Sequence, residues 1–418
     1  MNMALISLLT LLAAIVLGFW RKLNVGLLCM GFSLLLGHAA GLSDKQIIAG
    51  FNYSLFVMLL GVTYMFSLVQ DNGCLDLLAK KVVALAGKRT FLIPIIIYIF
   101  CTVLAAIGPG TVPTMAIMMV FAMALAAELG ISPAMLSALI VLGASGGGVS
   151  PLAATGIIGL NLCAEFGVTG IEVPFFMNGV LSATVYSGVV YFLLGGHRMH
   201  VEKPMKLSDI PAFNTKQLIT LAGIVLMVVL VLIFKINVGM VGFAVAAVFS
   251  LLQVADEGKA LKNVPWGTLL LIAGVGMLMQ IIIKVGGIKM LSEFLVSMIT
   301  APTAASILGL CAGILSWFSS TSGVVMPTLI PTIPNVIAGV GGNISPVELA
   351  TAITMISNTA GISPLSTGGA LALAAYSSAA KASPELQQKL FARMFGISAL
   401  GVITLSVLAY FGLFRWLL

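Results

Sequence analysis

Ile131-Ser132-Pro133 and Gly148-Val149-Ser150-Pro151-Leu152 return as Ile344-Ser345-Pro346 and Gly361-Ile362-Ser363-Pro364-Leu365, each 213 residues later. Across 131–152 and 344–365, nine of the twenty-two aligned residues are identical without a gap. The same offset carries Lys22-Leu23-Asn24-Val25-Gly26 onto Lys235-Ile236-Asn237-Val238-Gly239, Gly61-Val62 onto Gly274-Val275, and Gly73 onto Gly286. The chain therefore reads as one unit used twice. The repeated glycine, serine and proline residues mark where each unit loses helical regularity.

Composition sets the solvent. Hydrophobic residues make up 60% of the chain, charged residues 8%, and the mean hydropathy is +1.17. A soluble domain of this size needs a charged surface, whereas a surface facing lipid does not. Apolar runs of bilayer-spanning length recur, among them Met3–Trp20, Ile47–Val69 and Leu218–Phe234. Met3–Trp20 has no basic residue before it and no small-residue cleavage site after it, so it reads as a permanent helix. The five cysteines are scattered without metal or redox spacing and read as small core residues.

The first unit reads as spans near 2–20, 25–41 and 47–70, then an amphipathic surface helix at 75–86. A segment at 91–128 is broken by Gly108-Pro109-Gly110 and Pro113, and is read as a re-entrant hairpin with two full crossings as the alternative. An interrupted helix at 132–162 and a last span at 174–195 complete the unit. The second unit repeats the order at 217–234, 238–254, 265–283, 287–299, 302–340, 345–377 and 391–417. The expected fold is an all-α polytopic membrane protein of two inverted repeats. Each repeat has about five transmembrane helices, one hairpin and one surface helix. The expected organisation is an N-terminal repeat at 1–195, a cytoplasmic linker at 196–215 and a C-terminal repeat at 216–418. Five crossings per repeat put fifteen of the twenty Lys and Arg residues on one side, leaving Lys45, Lys235, Lys284, Lys289 and Arg415 on the other. The positive-inside rule makes the richer side cytoplasmic and places both termini outside, in a membrane read as a bacterial inner membrane.

Helix breaks inside a bilayer survive only within protein or beside water, because an unpartnered backbone group costs several kcal/mol there. Ser145-Gly146-Gly147-Gly148-Val149-Ser150-Pro151 and Ser357-Asn358-Thr359-Ala360-Gly361-Ile362-Ser363-Pro364 are two such breaks. Small residues also serve close helix packing, which is the plainer reading of glycine spacing. Three successive glycines followed by Ser-Pro, duplicated, favour a ligand site. Ser145, Gly148, Ser150, Asn358, Gly361 and Ser363 are the expected oxygen donors for sodium, a hard cation. The hairpin tips, Gly108–Thr114 and Ser319–Thr328, supply hydroxyls and amides for an anion. Gly110, Thr111, Ser320, Thr321, Ser322, Gly323, Asn358 and Thr359 are the expected substrate ligands. Two proline-kinked helices whose hydroxyls bond to the preceding turn are the alternative there.

No Asp, Glu, Lys or Arg falls in the middle of an expected span, which disfavours an intramembrane proton relay. His38 reads as an interfacial histidine, and Glu128 and Glu348 as solvated groups at hairpin ends. No nucleotide-binding loop, metal cluster or nucleophile-with-base pattern is present, so no enzyme and no cofactor are expected.

The order of elements resembles the ion transporter superfamily, which includes the divalent anion–sodium symporters. The N-terminal half, with Trp20-Arg21-Lys22-Leu23-Asn24-Val25-Gly26, is most similar to the dicarboxylate carrier MatC family, associated with malonate uptake. In the sodium–dicarboxylate relatives a Ser-Asn-Thr motif marks both hairpin tips. Here the only Ser-Asn-Thr is Ser357-Asn358-Thr359, in the second break. The resemblance implies a homodimer with a scaffold and a mobile transport region. The expected function is secondary active symport of a small dicarboxylate, such as malonate or a C4-dicarboxylate, driven by sodium. The alternatives are an inorganic-ion or sodium/proton antiporter of the same superfamily, or a membrane subunit of a binding-protein-dependent transporter.

Overall fold

A computed structural model of the chain describes residues 2–87, 89–199 and 210–416. Met1, Lys88, linker residues 200–209 and the C-terminal residues 417–418 lie outside them. All regular secondary structure among the described residues is helical, without a strand. In the first half, α1 (Met3–Arg21), α2 (Val25–Ala39), a short α3 (Asp44–Ile48) and α4 (Tyr53–Asp71) lead into the surface helix α5 (Cys74–Ala84). The hairpin is α6 (Ile93–Ala106) and α7 (Thr111–Leu129), the interrupted helix is α8 (Pro133–Gly148) and α9 (Ala154–Ala164), and α10 (Glu172–Leu193) closes the half.

The second half begins with α11 (Thr215–Leu232) and α12 (Val238–Leu251). A short α13 (Glu257–Asn263), absent from the sequence reading, precedes α14 (Trp266–Lys284) and the surface helix α15 (Gly287–Val296). The second hairpin is α16 (Ala304–Phe318) and a segmented descending arm. That arm holds a π-turn at Thr321–Val325, α17 (Met326–Leu329) and α18 (Ile333–Val340), with Pro327, Pro331 and Pro334 preventing one continuous helix. The interrupted helix α19 (Pro346–Ala360) and α20 (Thr367–Ala379) precedes α21 (Pro384–Tyr410).

Eight helices among the described residues are long and apolar enough to cross a membrane. Their solvent is legible from the surface. Leu5, Leu9, Leu12 and Val16 lie exposed along one face of α1, each 44–54% accessible, at the three- and four-residue spacing of a helical stripe. Such a stripe is stable against lipid and costly against water.

The repeat seen in sequence reappears as duplicated local geometry. Lys22 and Lys235 both take left-handed conformations, with φ of 54° and 55°. Two residues on, Asn24 accepts from the Gly26 and Leu27 amides to cap α2, and Asn237 accepts from those of Gly239 and Met240 to cap α12. Gly73 and Gly286 start the two surface helices with φ of 69° and 83°.

Pairing across the halves is reciprocal. A methyl group at Gly274 of α14 would overlap the Gly26 carbonyl of α2, and one at Gly61 of α4 would overlap the Gly239 carbonyl of α12. These contacts run on in step. Gly26 faces Leu270 and Leu271 while Gly37, further along α2, approaches Ile281; Gly239 faces Met58, and Tyr64 Oη lies 3.4 Å from Ser250 Oγ. Thus α2 runs parallel to α14, and α4 runs parallel to α12. Residues of α1, α2, α14 and α15 also enclose a small apolar core of their own, built on Leu11, Ile15, Leu278 and Ile282.

One expectation is corrected. Glu348 is not solvated: in the first turn of α19 it is 2% exposed, and Arg415 Nε donates to its Oε1 at 2.7 Å. A helix N-terminus suits a carboxylate, and the guanidinium supplies the opposite charge. Glu128 is exposed, and His38 lies 3.0 Å from Asp44 at the end of α2. Arg415→Gln strands a buried carboxylate and is expected to cost about 1–3 kcal/mol, less than for a fully buried pair because Arg415 is half exposed. The check is thermal unfolding in detergent. The Glu348→Gln/Arg415→Gln double variant is expected to be more stable than Arg415→Gln alone, and the reverse order contradicts the ion pair.

Candidate substrate and ion site

Both tips lie inside the protein. Gly108, Pro109 and Gly110 are buried, with Gly108 (φ 139°) against Phe66 of α4 and Met227 of α11, and Gly110 (φ 77°) against Ala153 and Ala154 at the first break. A connection between two full crossings would emerge at a membrane surface, so burial beside the break favours a re-entrant hairpin. The second tip is less enclosed: Ser319, Ser320, Thr321 and Ser322 are half-buried, while Gly323 is buried and a methyl there would meet the Leu271 side chain of α14.

The two breaks share one construction. Ser150 Oγ accepts from the Leu152 amide and Ser363 Oγ from the Leu365 amide, each at 3.2 Å. The chain then folds back so closely that a methyl at Gly156 would overlap the Ser150 carbonyl, and one at Gly369 that of Ser363. The repeated Ser-Pro-Leu therefore builds a turn, and the glycine six residues after each serine lets the next helix start against it. Close approach also explains the triple glycine. A methyl at Gly147 would overlap the Thr102 carbonyl of α6, and one at Gly148 the Thr111 hydroxyl at the first tip.

These elements meet at a cavity of about 60 Å³ lined by residues of α7, α8, the second tip, α19 and the start of α20. Of the expected ligands, the structure brings Thr111, Ser145, Ser320, Thr321, Ser322, Asn358 and Gly361 to its wall. The others stand elsewhere. Thr359 Oγ1 donates to the Met355 carbonyl and its methyl group faces Gly401, so it is turned from the cavity lining. The Gly110 amide donates to the Ala105 carbonyl and the Gly323 amide to Ser320 Oγ, so both expected amide donors are engaged within their own tips. Gly148 packs behind Thr111, and the Ser150 and Ser363 hydroxyls hold the turns.

Two buried polar atoms on the wall lack any protein partner: Asn358 Nδ2 and Ser145 Oγ, in residues 7% and 1% exposed. The contrast along α19 is informative. Thr351, Thr354, Ser357 and Thr359 each donate to the carbonyl four residues back, whereas the Asn358 amide has no such outlet. An unpartnered donor in a low-dielectric interior costs about 1–3 kcal/mol, which a ligand acceptor would relieve.

The wall also holds groups that sequence reading missed. Ser366, Thr367 and Gly368 present the start of α20, a 13-residue helix without a side-chain cap, and its positive dipole end suits an anion. The signal was the Ser-Thr-Gly-Gly run just past the second break. Thr155 was likewise passed over: its hydroxyl lies 3.3 Å from Thr111 Oγ1 and 3.1 Å from Ser322 Oγ, joining the two tips. No Lys or Arg lines the cavity, so its electrostatics come from hydroxyls, one amide and helix ends.

A second space opens between the halves. A vestibule of about 660 Å³ is lined by Asn52, Glu165, Gln280, Lys289 and Asn335, and a chamber lined by Leu59, Ile158, Ala273 and Pro327 shares its wall. Desolvation raises the Glu165 carboxyl above its ordinary value. The vestibule is far larger than the cavity, but its polar groups are mostly exposed at a rim. The unpartnered buried donors make the smaller cavity the better binding site.

Comparison with known proteins agrees with this architecture. The chain is similar in fold to the Alcanivorax borkumensis YdaH transporter, whose crystal structure is described as revealing an unusual topology. The TM-score is 0.58 at 15% identity, over 89% of this chain and 87% of that one. The protein is thus a multi-pass, all-helical membrane protein similar in fold to that neighbour. Residues 1–148 match the family model described as dicarboxylate carrier protein MatC N-terminus. No curated protein matches.

Proposed function

We propose that this protein is a secondary active transporter that carries a small dicarboxylate together with sodium. The observation that supports this most is the cavity between the tips and breaks of both halves, with its unpartnered Asn358 Nδ2 and Ser145 Oγ. The match of the N-terminal 148 residues to the MatC model supports a dicarboxylate as the solute. Substrate carboxylates take hydrogen bonds from Thr111, Ser320, Thr321, Ser322 and Asn358 and face the start of α20. Sodium, a hard cation, takes oxygen ligands beside Ser145 and Gly361 on the cavity wall. A cation beside the dianion replaces the fixed positive charge that the cavity lacks. A proton-coupled reading would look to Glu348, the buried carboxylate, but its Arg415 partner holds it at the start of α19, away from the cavity lining.

The parallel pairs α2·α14 and α4·α12 support inverted halves. Consecutive spans reverse direction, so α2 opposes α4 and α12 opposes α14. For α2 to lie parallel to α14, the second span of one half must oppose that of the other. Together with the charge split, this supports both termini lying outside. A cysteine in the 197–214 linker is then protected from an impermeant reagent in intact cells and one at 418 is labelled. Labelling of both from one side contradicts the inversion.

The coupling is tested by calorimetry on the purified protein with malonate, succinate and citrate, in sodium and in choline buffers. Binding of at least one acid is expected to tighten at least tenfold in sodium, the equivalent of about 1.4 kcal/mol of coupling. Equal affinity in the two buffers removes sodium from the account.

A further inference from the structure

We propose that Thr155 is a positioning residue that locks the two hairpin tips together and closes the cavity against the vestibule. The proposal rests on the reading of that cavity as the solute site. Thr155 stands at the start of α9, 3% exposed, and its hydroxyl lies within hydrogen-bond distance of both Thr111 Oγ1 (3.3 Å) and Ser322 Oγ (3.1 Å). One hydroxyl thus ties the first tip, the first break and the second tip, and both of its partners line the cavity.

Its place in the fold makes the contact a barrier. One turn further along α9, Ile158 lines the inner chamber of the vestibule, and Pro327, just beyond Ser322 on the second hairpin, lines the same chamber. The Thr155–Ser322 bond therefore stands between the chamber and the cavity. A carboxylate entering from the vestibule meets Thr155 and Ser322 first, and as a stronger acceptor it draws the tip hydroxyls away from Thr155.

The repeat shows that this closure is one-sided. At the offset of 213 residues, Thr111, Thr155 and Ser322 correspond to Val324, Gly368 and Pro109. None of these three carries a side-chain hydrogen-bonding group, so no equivalent lock exists at the related position. The paired glycines of α2, α4, α12 and α14 are duplicated faithfully, while the hydroxyl chain is not. Scaffold packing follows the symmetry of the repeat, and the lock breaks it.

The test reads access to the cavity without substrate. Val141, 1% exposed on the cavity wall, is replaced by Cys as a reporter. Its reaction with a charged, impermeant methanethiosulfonate is followed in nanodiscs by peptide mass spectrometry at that position, so the five native cysteines do not interfere. Thr155→Val keeps the shape and deletes the hydroxyl. It is expected to speed labelling roughly three- to tenfold, the effect of losing one or two neutral hydrogen bonds. Thr155→Ser restores the hydroxyl and is expected to label like the parent. Ser322→Ala, which removes the partner, is expected to match Thr155→Val and carries the test should that variant fail to fold. An unchanged rate in the folded Thr155→Val or Ser322→Ala protein overturns the lock, as does an equal rise in Thr155→Ser. Labelling needs no transported solute, so failure of the lock and failure of the dicarboxylate reading are seen separately.

Discussion

Asn358→Ala is expected to weaken dicarboxylate binding about ten- to a hundredfold while leaving the protein folded. The carboxamide is 7% exposed, lines the cavity, and presents an Nδ2 without a protein partner. A hydrogen bond to a charged acceptor contributes about 1.5–3 kcal/mol, which sets that factor. Removing the side chain also removes a buried donor without a protein partner, so thermal stability without substrate is expected to hold or rise. Thr359→Val, one residue on, deletes a hydroxyl bonded to its own helix and is expected to change affinity less than threefold, within the modest range of a local neutral hydrogen bond. Calorimetry on both variants checks the contrast. Equal losses at 358 and 359 would mean that the α19 face carrying the site has been misassigned.

Gly274→Ala and Gly61→Ala are each expected to destabilise the protein by about 1–3 kcal/mol or more, and by similar amounts. A methyl at either position overlaps a backbone carbonyl of the partner helix, Gly26 in one case and Gly239 in the other, and backbone cannot swing aside as a side chain can. Gly31→Ala, on α2 with nothing within 4 Å of the added carbon, is the control and is expected to be neutral or slightly stabilising. Thermal unfolding in detergent decides. Tolerance of alanine at both 61 and 274 would contradict the reciprocal packing of the halves.

Much of this architecture was legible because its signals are local and repeated. Gly73 and Gly286, Lys22 and Lys235, and the two Ser-Pro-Leu turns each state a backbone conformation in a few residues, and the fixed offset made each copy a check on the other. The hairpin tips were legible as positions, since Gly108-Pro109-Gly110 and Ser319–Gly323 interrupt apolar sequence that has no other reason to stop. What the sequence withheld was direction. The hydroxyls of Thr359 and Ser357 look as available as the amide of Asn358, yet helix geometry sends the first two back to their own carbonyls.

Long-range partners were equally hidden. Glu348 and Arg415 are 67 residues apart, and nothing in either neighbourhood announces the pair. Thr155 lies 167 residues from Ser322 and is an ordinary threonine until the fold places it between two tips. Its importance shows only when the repeat is used in reverse, to ask which polar residues were not copied.

The central claim is that this chain alone moves a small dicarboxylate through the cavity between its hairpins and broken helices. Proteoliposomes containing only the purified protein test it most directly, with labelled malonate, succinate and citrate supplied under an imposed sodium gradient, a proton gradient or neither. Concentrative uptake of at least one acid is expected under the sodium gradient, abolished by choline replacement and strongly reduced in Asn358→Ala. Uptake that follows only the proton gradient, or that is unchanged in Asn358→Ala, would contradict the claim.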